Sequence, residues 1–232
     1  PDTIDFLTYE DGILWNTLPD GNPIFFAAAP RMADRKAEEE ECLSRAAVQA
    51  SKFIAVQAKA RYISQKTNTG VGYTSEIEIN YDRELAEQLK GELTVEKTYQ
   101  DNEGTYMVTR LQSRRMEAIP FKPYLKKGKP TWIENTPEIS GYYTAVGVAQ
   151  RSRFIADSIA AADDMALEDL IKQISINIKS SRSDISVDRV GTATDQINYE
   201  EASATVAGFY VIARWRTEDG SHYYSLAVCP KK

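Results

Sequence analysis

Four carboxylates crowd positions 163 to 169 of this 232-residue chain: Asp163, Asp164, Glu168 and Asp169. On a helix, acids four and five residues apart can meet, hold a cation or share acid and base duties. The opposing reading is a solvated charge run. Asp164 and Glu168 fall on the arc that a helix here would turn to water, and only Asp163 leans toward the apolar side. The single histidine, His222, is the one imidazole base. It sits in a C-terminal hairpin beside aromatics, away from an obvious nucleophile, which favours a structural or exposed role. One His with the well-separated Cys42 and Cys229 cannot build the usual zinc sites. "NTGVG" at 68–72 lacks the third glycine and the strand-to-helix setting of a dinucleotide loop and reads as a turn. The glutamates at 38–41 open a helix, whose partly positive N-terminus favours them. No catalytic, metal or cofactor residues are therefore assigned. The aromatics Tyr142, Tyr143, Tyr210, Trp215 and Tyr223 form the candidate interaction surface.

Composition narrows the classes further. Lys and Arg number 28 against 34 Asp and Glu, a net charge of −6. A general nucleic-acid binder needs a positive surface to displace counterions from phosphates, so that class is set aside. No apolar run approaches the roughly 20 residues that cross a bilayer as a helix. The chain opens at Pro1 with neither Met nor a cationic and apolar leader, which reads as a mature or trimmed form. Two cysteines permit at most one bridge, and their non-equivalent positions argue against it. Arg114, Arg115, Lys126, Lys127 and Lys129 could meet anionic headgroups or glycan, although a solvated linker explains them more simply.

The elements that position these residues recur along the chain. "LWNTLPDGNPIFFAAAP" at 14–30 returns in altered form as "TWIENTPEISGYYTAVGVA" at 131–149, pairing Trp15 with Trp132, Pro19 with Pro137 and Phe25 with Tyr143. "INY" at 79–81 recurs at 197–199, and the turns ending in Gly104 and Gly220 precede "YMV" and "YSL". Landmarks in one order at an offset of 116 to 118 residues indicate a duplicated unit. In the second copy Ile155, Ile159, Ala162, Ala166, Leu170 and Ile174 predict a helix over about 153–173. From Ile174, alternation through Ile176 and Ile178 predicts a strand, followed by a polar excursion, "SSRSDISVDRVGTATDQ". A hairpin at 209–216 and 222–229 turns at Asp219-Gly220. Strand 209–216 is apolar on both sides, with Phe209, Val211 and Trp215 on one and Tyr210 and Ile212 on the other, so cover is expected on both.

The first copy predicts a helix over about 35–63, with Leu43, Ala47, Ala50, Ile54 and Ala58 on one stripe and Cys42 and Phe53 at its edge. A short helix at 79–91, opened by Asn80 or Asp82 and ended at Gly91, and a hairpin at 92–100 and 105–111 complete it. The expected architecture is α+β: two copies of a strand, long helix, strand and hairpin module, each helix packed on a largely antiparallel sheet. The modules span 13–112 and 131–232, joined by a basic, proline-containing linker at 113–130.

The second copy resembles the bacterial small-lipoprotein family called Lpp-twenty, which has flagellar outer-membrane and assembly relatives. The residues that carry it are Trp132, Ile133 and Pro137 before Tyr142, Tyr143 and Gly147; the Ala-rich helix running into "ISINIKSS"; and the hairpin from Gly208 through Trp215, Asp219-Gly220 and Tyr224–Ala227. The likeness covers 131–229 well and 14–111 more loosely. It implies secretion to the periplasm or outer membrane, often lipid attachment, and service in the cell envelope without a known catalytic centre. The expected function is a non-catalytic envelope scaffold or assembly protein that binds an envelope protein or itself. No nucleic acid, no defined small-molecule substrate and no membrane contact beyond an N-terminal lipid anchor are expected. The alternative is an envelope-glycan binder or carboxylate-dependent hydrolase, with Tyr142, Tyr143, Trp215 and Tyr223 lining a cleft between the modules.

Overall fold

The computed structural model describes residues 15–67, 70–122, 124–183 and 197–231. Its first strand, β1 (Trp15–Asn16), is followed by β2 (Ile24–Pro30), whose core "FFAAA" is buried on both faces. Helix α1 (Arg35–Ile54) starts at Asp34, which accepts the Lys36 amide as an N-cap. The hairpin β3 (Val56–Thr67) and β4 (Gly70–Tyr81) leads to α2 (Arg83–Glu92), capped by the Asp82 carboxylate on the Leu85 amide. Strands β5 (Leu93–Gln100) and β6 (Gly104–Leu111) close the first half. A two-stranded ribbon, β7 (Leu125–Lys126) and β8 (Lys129–Pro130), and a 3-10 turn at Thr131–Ile133 precede β9 (Tyr142–Gln150). Helix α3 (Ile155–Ser183), β10 (Ile197–Val206), β11 (Tyr210–Arg216) and β12 (His222–Pro230) form the second half.

The fold is α+β with antiparallel sheets. In the first half the strand order is β2-β6-β5; in the second it is β9-β12-β11, with β1 added beyond β11. Each half's opening strand thus pairs with its closing one, and the intervening long helix lies on that pair. A third sheet, β10-β3-β4, takes strands from both halves. The "INY" triplets lie in it on either side of β3, at 79–81 in β4 and at 197–199 in β10.

Side-chain periodicity explains the layers. On β2, Phe25, Ala27 and Ala29 meet Cys42, Ala46 and Ala50 of α1, while Phe26 and Ala28 meet Ile155, Ile159 and Ala162 of α3. On the α3 side of the second sheet, Gly147 lets the helix come close. A Cβ built there would lie 2.0 Å from the Ala162 carbonyl oxygen and 2.3 Å from the Ala166 nitrogen. Gly147→Ala is therefore expected to destabilise by about 1–3 kcal/mol or more through overpacking against rigid backbone, measured by urea unfolding.

Both faces of β11 are covered from within. Phe209 and Val211 pack with Leu167 and Leu170 of α3, while Tyr210 and Ile212 join Phe25, Trp132 and Ile139. Tyr210 stands edge-on to Phe25 and Phe53, at 5.9 and 5.8 Å between ring centres. A bulge between Val211 and Ala213 resets the alternation, so Trp215 sits with the Tyr210 side rather than with Phe209 and Val211.

Three helix limits differ from expectation. Helix α2 begins at Arg83 rather than at 79, because residues 79–81 continue β4 in its pairing with β3. Helix α1 stops at Ile54, because Ala55 is extended (φ −162°, ψ 137°) and Val56, Gln57 and Ala58 alternate buried, exposed, buried as a strand. The α1 stripe centres on Cys42, Ala46 and Ala50, all fully buried, with Leu43 and Ile54 at its margin. Conversely, α3 runs through Ile174 to Ser183 instead of becoming a strand. Ile171 and Ile174 sit with Val56 and Val206, so the helix is held against the third sheet where the alternation predicts its end. Ile174 and Ile178 are also four apart, a spacing that a helix accepts equally. Residues 184–196 of the polar excursion, and Asn68 and Thr69 of "NTGVG", lie outside the described residues; Gly70 to Gly72 begin β4.

Candidate functional site

The two long helices run side by side across the open edge of β2. Leu111 N bonds Pro23 O and Arg31 N bonds Glu103 O, which fixes the ladder: odd residues of β2 bond β6. Ile24, Phe26 and Ala28 therefore turn their backbone groups away from β6. The Tyr210 hydroxyl takes up both groups of Ile24, accepting its amide at 2.9 Å and lying 2.8 Å from its carbonyl oxygen. Gln49 of α1 donates to the Phe26 carbonyl at 2.5 Å. Burial pushes the Tyr210 phenol well above its ordinary range, so it stays protonated.

Beside this edge is a cleft of about 420 Å³ between α1, α3 and the start of β11. Arg45 reaches Asp157 at 3.0 Å and Lys52 reaches Asp164 at 2.6 Å, so two ion pairs bridge the helices. Asp163 lines the cleft and is held from behind. Arg214 of β11 donates Nε to its Oδ1 at 2.9 Å and Nη2 to its Oδ2 at 2.8 Å, and Ser225 donates to Oδ1 at 2.6 Å. The Arg214 guanidinium also lies over the Phe26 ring, 5.5 Å from its centre. Its Nη1 has no hydrogen-bond partner among the described residues.

Three of the four predicted carboxylates are thus drawn to separate cations. Asp163 faces Arg214, Asp164 faces Lys52, and Asp169 pairs with Lys172 at 2.9 Å along its own helix. No group of three or more His, Cys, Asp or Glu that could hold a metal occurs among the described residues. His222 lies beside a hydroxyl, with Ser221 Oγ 2.8 Å from Nδ1. The carboxylate at hand, Asp219, accepts from that same Ser221 hydroxyl at 2.8 Å, not from the imidazole. A relay would need it to orient the histidine. Asp219 also accepts from Thr217 and the Ser221 amide, which lowers its pKa to about 2.

The five aromatic candidates do not form one surface: Tyr142, Tyr210 and Trp215 share one cluster, and Tyr143 and Tyr223 lie in two others. Tyr210 and Tyr223 are buried, in separate cores, while Tyr142, Tyr143 and Trp215 are half-buried. Tyr142 and Trp215 pack on the face of their sheet away from α3, and Tyr143 on the α3 side, with Lys231 over its ring. A cleft lies between α1 and α3, but Tyr142, Tyr143, Trp215 and Tyr223 do not line it; Phe25, Phe209 and Tyr210 supply its rings. Of the linker bases, Arg114, Arg115, Lys126 and Lys127 are exposed, and Lys129 pairs with Glu134.

Sequence pattern misses two charged groups of consequence: Arg214, which sits among large apolar strand residues, and Glu38, which reads with its neighbours as a helix-dipole residue. Glu38 is fully buried, accepting from Arg31, Arg35, Thr105 and the Met32 amide. Cys42 and Cys229 are both buried free thiols. Burial raises the Cys42 thiol to about 12, so little thiolate forms near neutrality. Cys42 is expected to resist a thiol-specific disulfide reagent in the native protein and to react only after denaturation; rapid native labelling of Cys42 would contradict its placement.

No model of a known protein family matches the chain, and neither curated proteins nor solved structures yield a match.

Proposed function

We propose that this chain is a non-catalytic bacterial cell-envelope protein, a tandem-module scaffold or assembly factor that binds an envelope protein or a second copy of itself. Its likeness to the Lpp-twenty small lipoproteins supports placement in the periplasm or at the outer membrane. Helix chemistry adds to the case for two related modules. Met32 N bonds Glu38 at 2.8 Å and Ser152 N bonds Ser158 at 2.8 Å, each spanning six residues. Both positions are offset by 120 (152 − 32 and 158 − 38), close to the offset of the sequence landmarks. The shared order of opening strand, closing strand and hairpin strand agrees with this.

The observation that carries the binding function is the outer edge of β9, which no strand pairs among the described residues. Lys231 N bonds Gly141 O and Arg151 N bonds Ser221 O, so odd residues bond β12 and Val146 and Val148 turn their backbone groups outward. Soluble sheets commonly blunt such edges with charge and bulges. Strand β5 does so, with Glu96, Lys97 and a register shift between Val95 and Lys97. Strand β9 carries no charged residue from Tyr142 to Gln150. Val148 and Met165 are each 46% exposed. Met165 lies eight residues, two four-residue steps, before Gln173, which donates to the Thr144 carbonyl on this edge at 3.0 Å. An apolar, uncharged edge is suited to receiving a strand.

The test is affinity capture from envelope extracts together with sedimentation of the purified chain, for the wild type and Val148→Lys. A specific partner, or a dimer, that is lost in the variant is expected. A monomer that captures the same proteins with and without the lysine would overturn the reading.

A further inference from the structure

We infer that the cleft between α1 and α3 is a binding site for a short extended peptide with free termini, about three residues long. This does not depend on the envelope function proposed above. The wall of the cleft is a strand edge, and Ala28 lines it with its amide and carbonyl turned away from β6. No described residue takes up either group. A donor and an acceptor spaced in this way match one residue of an antiparallel strand, which exchanges two hydrogen bonds with its opposite.

The mouth supplies the charges such a ligand needs. Arg45 and Asp157 stand at one end, and Lys52 and Asp164 at the other, seven residues further along each helix. Seven helical residues cover about 10 Å. An extended peptide covers that in about three residues at roughly 3.3 Å each. A terminal carboxylate displaces the acid at one end, from Arg45 or Lys52, and the terminal ammonium pairs with the acid of the other end in place of its cation. The acids are half-exposed, at 45% and 52% of their side chains, and ion pairs in such water-rich settings are weak enough to exchange.

The interior sets the side chains. Ala28, Ala156 and Ala160 leave room beside the Arg45 end, while Phe209, Tyr210 and Val211 make the opposite end apolar. The volume of about 420 Å³ lies in the range of small-molecule clefts. The interior thus accepts small side chains at one end and an apolar one at the other.

Trialanine with free termini is the probe, titrated calorimetrically and by the amide shift of Ala28 in the whole chain. Saturable binding is expected, with the N-acetylated, C-amidated form about tenfold weaker or more for the lost charge-assisted bonds. Ala160 is exposed on α3 and lines the cleft, so Ala160→Trp fills the space without entering the core. That variant is expected to abolish binding at an unchanged melting temperature. Arg45→Gln with Lys52→Gln is expected to weaken binding as blocking the termini does, and provides the same test if the tryptophan disturbs folding. Failure of trialanine to saturate at millimolar concentration, or binding indifferent to these changes, would overturn the inference.

Discussion

Asp163→Ala is expected to cost about 3–5 kcal/mol of unfolding free energy, because it leaves a buried guanidinium without its counter-charge. Arg214 is 6% exposed and Asp163 is likewise 6% exposed. Two of the three guanidinium nitrogens bond the carboxylate, and Nη1 already lacks a partner. Among the described residues, removing Asp163 leaves Arg214 one hydrogen-bond acceptor, Gln49 at 3.5 Å, and the Phe26 ring. Ser225 loses its acceptor in the same step. The paired replacement Asp163→Leu with Arg214→Met should recover most of the loss, since apolar groups of similar volume remove the desolvation penalty of both charges. Urea unfolding of the two single variants and the double one gives the coupling. A loss below about 1 kcal/mol for Asp163→Ala would mean that the pair is solvated rather than buried.

Glu38 is expected to contribute to the acid limb of stability. Burial alone would raise its pKa, but the bonds from Thr105, the Met32 amide, Arg31 and Arg35 prevail and hold it down, from 4.5 to about 2. A carboxylate with a depressed folded-state pKa contributes stability that is complete above its unfolded value of 4.5. That contribution is lost as pH falls toward 2. The shift corresponds to about 3 kcal/mol at 1.36 kcal/mol per unit, as an order of magnitude. Glu38→Gln is expected to lose a comparable amount at pH 7 and to flatten the dependence between pH 4.5 and 2. Denaturant midpoints across that window, for wild type and variant, provide the test. An equally steep limb in both would assign acid sensitivity to other carboxylates.

The residues that were legible in sequence are those whose local signals agree with their packing. Helix α2 follows Asp82, the β11–β12 hairpin turns at Asp219-Gly220, and the apolar stripe of α3 from Ile155 to Leu170 is buried. The limits of the long helices were not, because 171–178 satisfies both a period of two and a spacing of four, and contact with Val56 and Val206 decides. Arg214 was hidden by its setting in a strand of large apolar residues, where its pairing with Asp163 depends on chain that is 51 residues away. Glu38 was more accessible. It is four residues before Cys42 and eight before Ala46, on the buried stripe, so helical periodicity separates it from Glu39, Glu40 and Glu41. The cleft left no signal, since it forms where two helices separated by a hundred residues of chain converge on the edge of β2.

The third sheet has a consequence for how the chain is made. Strand β3 is hydrogen-bonded along its whole length to β4 on one side, and from Val56 to Gln65 to β10 on the other. β1 reaches across to Arg214 and Ala213. During synthesis the N-terminal half therefore emerges with one side of β3 unserved until residue 206 has been translated. The first 112 residues form a structural half whose third sheet is completed only by the second. Closure must await the last quarter of the polypeptide, and contacts so distant in sequence slow the search. Until then the nascent chain carries an exposed strand edge, the state most open to chaperone capture or mispairing.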